Sequence, residues 1–256
     1  HVGWSGDSTV WAERLPEQRV SLGGGELLHT GEVRLAPDET YTSPWLYAAH
    51  SRDGLDGLSR RLHDWMRARP EHPRSPRPVV LNTWEAVYFD HDLARLHEIA
   101  EHAAAIGVER FVLDDGWFTG RRSDHAGLGD WEVDADVWPD GLHPLVDRVT
   151  ALGMDFGLWV EPEMVNLDSD LARAHPDWLL GTDGRTPLSW RHQQVLDLAN
   201  ADAWRHILER LDALLSTYPI SYLKWDHNRD LVDAGHHGAP GVHRQTTAVY
   251  RLLDEL

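Results

Sequence analysis

Apolar and polar positions alternate through the first fifty residues. Val33 and Leu35 alternate with Glu32 and Arg34, Tyr41 to Ala49 forms a second extended stretch, and Gly23-Gly24-Gly25 reads as a turn between strands. Residues 1–50 are therefore expected to be β structure. The period then changes. Leu55, Leu58, Leu62, Trp65 and Met66 fall on one face of a helix, and Pro70, Pro73, Pro76 and Pro78 follow as a stiff linker. A domain boundary is placed here, with residues 51–77 as linker helix and proline-rich linker, and residues 78–256 as a second domain.

From Pro78 onward a strand, a loop and a helix repeat. Val79-Val80-Leu81 is a short apolar strand ending in Asn82-Thr83-Trp84-Glu85, and Leu93, Leu96, Ile99, Ala100, Ala103 and Ile106 make a helix that Gly107 stops. Phe111-Val112-Leu113 is a second strand ending in Asp114-Asp115. Leu142 to Leu152 is helical with Gly153 just beyond, and Phe156 to Val160 is a third strand ending in Glu161-Pro162-Glu163. An excursion from Pro176 to Leu198 holds strand-like pieces at Trp178-Leu179-Leu180 and Val195-Leu196. Trp204, Ile207, Leu208, Leu211, Leu214 and Leu215 define the clearest helix, Ser221 to Trp225 is a fourth strand, and Arg244 to Leu256 is the next helix.

Alternating strands and helices imply a parallel sheet. Polar and aromatic residues collect where each strand ends, which is the catalytic face of a (β/α)₈ barrel. Four strands are half a barrel, so the chain is expected to be part of a larger protein. A doubly wound open sheet is the structural alternative.

Composition narrows the function. A formal net charge of −18 argues against nucleic acid and anionic membranes as partners and suits a neutral substrate. No apolar run approaches the ~18 residues of a membrane span, and from His1 no basic region leads into an apolar stretch, so no signal peptide is expected. Zero cysteines exclude disulfides and thiolate metal sites within the chain and fit a cytoplasmic protein. Thirteen tryptophans offer platforms for sugar rings, although core packing accounts for most such residues. Of 24 basic residues only Lys224 is lysine, which singles out a position where a compact ammonium is not exchangeable for a guanidinium.

The strongest constellation surrounds that lysine: Tyr222-Leu223-Lys224-Trp225-Asp226-His227-Asn228-Arg229. Alternation along a strand puts Lys224, Asp226 and Asn228 on one side and Leu223 and Trp225 on the other. A carboxylate beside an ammonium stays ionised, as a nucleophile must; a strand-end salt bridge with an Asn turn explains the same pattern. Asp114 and Asp115 repel one another unless hydrogen-bond donors hold them, and sugar hydroxyls, a divalent metal or solvent in a turn each serve. Trp84, Trp159 and Arg191 are further candidates, each open to a packing or surface ion-pair reading. Seventeen histidines include no His-Glu-x-x-His and no His-x-His. His91 and the pair His236-His237 are expected to be solvent-exposed, and no metal or other cofactor is expected.

Five segments, LNTWEA (81–86), FVLDDGWF (111–118), LWVEPEMV (158–165), VLDLAN (195–200) and YLKWDHNR (222–229), resemble in sequence and order the glycoside hydrolase family 36 α-galactosidases. The resemblance runs from about Trp4 to the end; His227 departs from it, since the family often has methionine there. It implies the end of a β-sandwich domain (residues 1–50) and the first half of a catalytic (β/α)₈ barrel (residues 78–256). It further implies a retaining exo-α-galactosidase acting on small neutral α-galactosides by double displacement. Asp226 would be the nucleophile, and Trp84, Asp114, Asp115, Trp159, Arg191, Lys224 and Asn228 would line the sugar pocket. The acid/base would be an aspartate beyond Leu256, and the complete protein a homo-oligomer, often a tetramer. Within the family an α-N-acetylgalactosaminidase or a raffinose-synthase-like galactosyltransferase are rivals. Outside it stand a carbohydrate-binding protein without catalysis and a metal-dependent hydrolase, the latter requiring loss of activity with a chelator.

Overall fold

The structure is a computed structural model that describes all residues except Asp183 and His237, so one half of the His236-His237 pair lies outside the described residues. The chain divides into two compact units, His1–Arg77 and Pro78–Leu256.

The first unit contains an antiparallel hairpin of β1 (Ser8–Arg14) and β2 (Val20–Glu26), followed by helix α1 (Gly54–Ala68). Three expectations fail in this unit. Tyr41 to Ala49 forms no strand, only a single bridge from Leu46 to Val2. Gly23, Gly24 and Gly25 are not a turn but lie within β2, because Trp11 stands opposite Gly23 and lays its indole over it: a Cβ there would come within 2.3 Å of the ring. Covering a strand glycine with a cross-strand aromatic is a known way of keeping it in a ladder. The turn falls instead at Leu15 to Arg19, where Gln18 takes a positive φ of 63°. Residues 32–35 form no strand. Glu32 folds back on the backbone N–H of His29, and Glu39 on that of Ala36, and these local side-chain bonds displace the ladder.

The second unit is built on a four-stranded, wholly parallel sheet. Its strands are β3 (Val80–Asn82), β4 (Arg110–Leu113), β5 (Asp155–Val160) and β8 (Ile220–Trp225). Between them run α2 (Trp84–Val87), α3 (Leu93–Ala105) and α4 (His143–Ala151), then the short pair β6 (Met164–Asn166) and β7 (Gln193–Val195), with α5 (Asp170–Ala174) between the two, and α6 (Ala201–Thr217). The two-residue strands β9 (Gly235–His236) and β10 (Ala239–Pro240) precede α7 (Val242–Glu255). Trp178-Leu179-Leu180 is a 3₁₀ turn and a single bridge, Leu179 to Leu196, rather than a strand.

The helices form for reasons visible in their residues. Asn200 caps α6 by accepting from the N–H groups of Asp202 and Ala203, and Ala203, Ile207, Leu211 and Leu214 place one buried stripe in the core. Asp92 caps α3 in the same way through Arg95, and Leu96, Ala100 and Ala103 are its buried face. Burying each such leucine or isoleucine contributes roughly 1.5–3 kcal/mol. Strand order β3-β4-β5-β8 follows chain order without reversal. A doubly wound sheet has a switch point where that order reverses, so the sheet matches the consecutive strands of a barrel.

Register carries the site. Leu113 pairs with Leu158 and Leu158 with Leu223, so the next residues, Asp114, Trp159 and Lys224, form one row at the strand ends. That row depends on an irregularity between Phe156 and Gly157, where β8 contains one extra residue, Ser221. The Ser221 hydroxyl donates to the carbonyl of Phe156 at 3.1 Å, and Gly157 leaves room for Tyr222, since a Cβ there would come within 3.0 Å of both Tyr222 and Val112.

Candidate active site

At these strand ends lies a cleft of about 340 Å³. All eight residues singled out in the sequence (Trp84, Asp114, Asp115, Trp159, Arg191, Lys224, Asp226 and Asn228) line it. Phe89, Arg121, Asp124, Glu161 and Gln193 line it too and were not among them.

Asp226 follows β8 directly, its N–H donating to the carbonyl of Val160 on the neighbouring strand. Its carboxylate accepts three hydrogen bonds: the Trp159 indole Nε1–H at 3.0 Å, the Asn228 amide at 2.8 Å and the backbone N–H of His227 at 3.0 Å. Burial favours the protonated acid, but these three donors and the nearby Lys224 charge outweigh it and hold the carboxyl below the ordinary aspartate range. The group is thus an ionised, oriented and accessible carboxylate, while Leu223 and Trp225, on the opposite side of the strand, pack against the core.

The two adjacent aspartates are held differently. Lys224 Nζ donates to Asp114 Oδ2 at 2.6 Å, and the Asn82 side-chain amide donates to the same oxygen. The Asp114 N–H is taken by the Thr83 hydroxyl at 3.0 Å. Asp115 meets Arg121 in a bidentate pair, Nε to Oδ1 at 2.9 Å and Nη2 to Oδ2 at 2.8 Å, and both side chains are buried. Arg121 also donates to Asn166 Oδ1 at 2.9 Å and Ala126 O at 3.1 Å, and its guanidinium lies over Phe89 and Phe118. Two charges in this row are therefore neutralised by two cations, one of which no motif in the sequence announces. Arg121 sits in the long loop after β4; its only signal is that a buried aspartate pair needs more than one cation.

Arg191 reaches the cleft from the loop before β7, where it and His192 adopt positive φ (51° and 62°), and its Nη1 donates to Asn228 Oδ1 at 2.9 Å. Trp159 is fixed by its neighbours as well, its carbonyl accepting from the Trp117 indole at 2.9 Å.

Two histidine expectations are corrected. His91 is buried, packed edge-on against Trp138 and under Gly116, and burial followed by the Arg122 charge pushes it down to about 4. His236 is buried and paired with Asp197, beneath the 3₁₀ turn. Polar neighbours in the chain misled in both cases, because short segments that look solvated are covered by loops distant in sequence. As for metals, Asp124, His125 and His192 bring donor atoms within 4.8 Å of one another at the exposed rim. They come from two loops, which is why no spacing motif shows them.

A model of the melibiase family matches residues 40–256. The chain belongs to the melibiase family. Among its relatives, an α-galactosidase of Escherichia coli is 48% identical over 100% of this chain and 36% of its own length. The α-galactosidase AgaA of Geobacillus stearothermophilus is 40% identical over 96% of this chain and 35% of its own. A crystal structure of a variant of that GH36 enzyme in complex with 1-deoxygalactonojirimycin matches with TM-score 0.92 at 36% identity, over 99% of this chain and 37% of the other. Another variant of it has been crystallised with raffinose, matching with TM-score 0.90 at 35% identity over 99% of this chain and 37% of the other. This melibiase chain therefore spans about a third of the length of the relatives it matches, and its open parallel sheet is part of the catalytic domain they share. No helix among its described residues is long and apolar enough to cross a membrane.

Proposed function

We propose that the complete protein is a retaining exo-α-galactosidase that removes terminal α-D-galactosyl residues from small neutral galactosides. One observation carries the reading: Asp226 is an ionised carboxylate held by three N–H donors in a cleft that the Asp114–Asp115 pair also lines. In the first step an Asp226 oxygen bonds to the anomeric carbon as the C1–O bond to the leaving group breaks, and a carboxylic acid protonates the departing oxygen. In the second, that same group takes a proton from water, the water oxygen bonds to C1, and Asp226 is released. The acid/base is assigned to a segment outside this chain. Asp114, with Lys224 beside it, and Asp115 accept hydrogen bonds from galactose hydroxyls, Trp84 offers a ring face, and Arg191 and Asn228 bind at the rim. The relative crystallised with raffinose supports a sugar substrate, and the absence of a basic balance agrees. A homo-oligomer, in particular a tetramer, and a cytoplasmic location belong to the same proposal.

The test is turnover of an aryl α-galactoside by the complete protein and its Asp226→Asn variant, with the anomer of the first product read by NMR. A fall of at least about 10³-fold in kcat, with an α-configured product from the parent, is expected. Parental turnover by the variant, or a β-configured first product, refutes the proposal. Running the aryl α-N-acetylgalactosaminide alongside separates the two hydrolases, and transfer to an added sugar reveals a transferase.

A further inference from the structure

Glu161 takes no part in the steps above, yet it lies in the wall of the same cleft with no surface exposed. It follows β5 directly. Its Oε1 accepts the backbone N–H of Asn228 at 2.6 Å, and its Oε2 accepts the Gln193 side-chain Nε2–H at 3.0 Å. Both donors are neutral, and among the described residues no lysine or arginine pairs with it. A second carboxylate has thus been placed beside Asp226 without a cation. Such burial costs several kcal/mol, and a glutamine or an apolar residue would fill the same space at less expense. Stability does not explain this choice.

Connectivity does. The residue whose N–H Glu161 holds is Asn228, and both ends of the Asn228 side chain are in use: Nδ2 donates to Asp226 and Oδ1 accepts from Arg191. Asn228 lies past the end of β8, where no strand ladder fixes its backbone. Gln193, the other donor, opens β7 and is tied by its own carbonyl to Arg229 at 2.7 Å. We propose that Glu161 is a positioning residue for the nucleophile: it clamps the backbone of Asn228 and the amide of Gln193, and so sets the direction from which Asn228 holds Asp226 and receives Arg191. This rests on the reading of Asp226 as nucleophile.

The clamp also has two states. Burial pushes Glu161 up to about 7, the Asp226 charge adding to the effect and the Asn228 and Gln193 hydrogen bonds opposing it. The charged groups sharing its surroundings are Asp226, Lys224, Arg191, Arg121, Asp114, Asp115 and Asp124 in the cleft, and His227 with its partner Glu163. Gln193 Oε1 is buried without a hydrogen-bond partner. A protonated Glu161 can donate to that oxygen once the amide turns over, so a Glu161–Gln193 hydrogen bond can form in either protonation state.

The experiment measures kcat and KM for an aryl α-galactoside across neutral pH with the complete protein, Glu161→Ala, Glu161→Gln and Asp226→Asn, alongside their melting temperatures. Glu161→Ala is expected to lower kcat roughly a hundredfold, the usual consequence of misplacing a reacting group, with KM moved far less. Glu161→Gln keeps an acceptor for Asn228, mimics the protonated state and is expected to retain kcat within about tenfold while losing the ionisation near neutrality from the pH profile. Parental kcat in a folded Glu161→Ala overturns the proposal. If that variant does not fold, a Glu161→Gln profile identical to the parent's overturns it instead. Parental turnover in Asp226→Asn is a different result: it removes the galactosidase reading, and this inference with it.

Discussion

Arg121 is where the fold and the site meet, and its replacement by methionine gives a sharp test of the electrostatics. The guanidinium is buried, makes a bidentate pair with Asp115, and holds Asn166 Oδ1 and Ala126 O. Methionine fills most of the volume and takes away the charge, so the loss is not chiefly a cavity. It is the cost of leaving Asp115 buried without a counter-ion, which mutational experience puts at about 3–5 kcal/mol. A second route gives a similar figure. An unpaired Asp115 escapes by taking up a proton, and holding an aspartate of ordinary pKa near 4 protonated at pH 7 costs about 4 kcal/mol. Chemical denaturation at neutral pH should therefore show the Arg121→Met protein weaker by about 3–5 kcal/mol, which for a unit of this size is roughly a 10 °C drop in Tm. The sign with pH follows. In the variant Asp115 binds its proton more tightly folded than unfolded, so the deficit is absent below the unfolded aspartate pKa near 4, grows as the pH rises above it, and is full only above the raised folded pKa. Adding Asp115→Asn should recover much of the loss at neutral pH and abolish this pH dependence. A single variant weakened by less than about 1 kcal/mol, or one whose deficit is independent of pH, refutes the reasoning.

Two other expectations are simpler. His91, buried and held down to about 4 against 6.5 when unfolded, is neutral when folded; the unfolded chain binds the extra proton between those values. Stability is therefore complete above about 6.5 and falls toward pH 4, and at about 1.36 kcal/mol per pH unit the gap of 6.5 − 4 is worth about 3 kcal/mol. Denaturation midpoints of parent and His91→Leu measured against pH should converge in acid, and parallel curves would contradict this. The 256-residue chain by itself is expected to turn over aryl α-galactosides negligibly, because the second carboxylic acid of the mechanism is assigned elsewhere; measurable hydrolysis by the purified chain would refute that assignment.

Much of this was legible in the residues because each strand of the parallel sheet ends where its polar residues begin. Lys224, Asp226 and Asn228 share a side by simple alternation, and the helix over Ala201–Thr217 announces itself through its apolar stripe and its Asn200 cap. What escaped reading depends on contacts between distant segments. Arg121 is an ordinary loop arginine until Asn166, 45 residues on, is brought against it. Glu161 looks like half of a Glu-Pro-Glu turn until Gln193 and Asn228 supply its donors. The glycines of β2 punctuate the sequence as a turn would, and only the indole of Trp11 across the hairpin makes them strand residues.

The extra serine in β8 gives the site an unusual vulnerability. Exchanging any one side chain there alters a single contact. A ladder that ran on from Ile220 without the bulge would instead pair Ser221 with Gly157 and Leu223 with Trp159, turning the ammonium and the carboxylate inward and aiming leucine and tryptophan at the sugar. Register, more than identity, is thus what selection must guard in this strand, and a designer who grafts it has to keep Lys224 opposite Trp159.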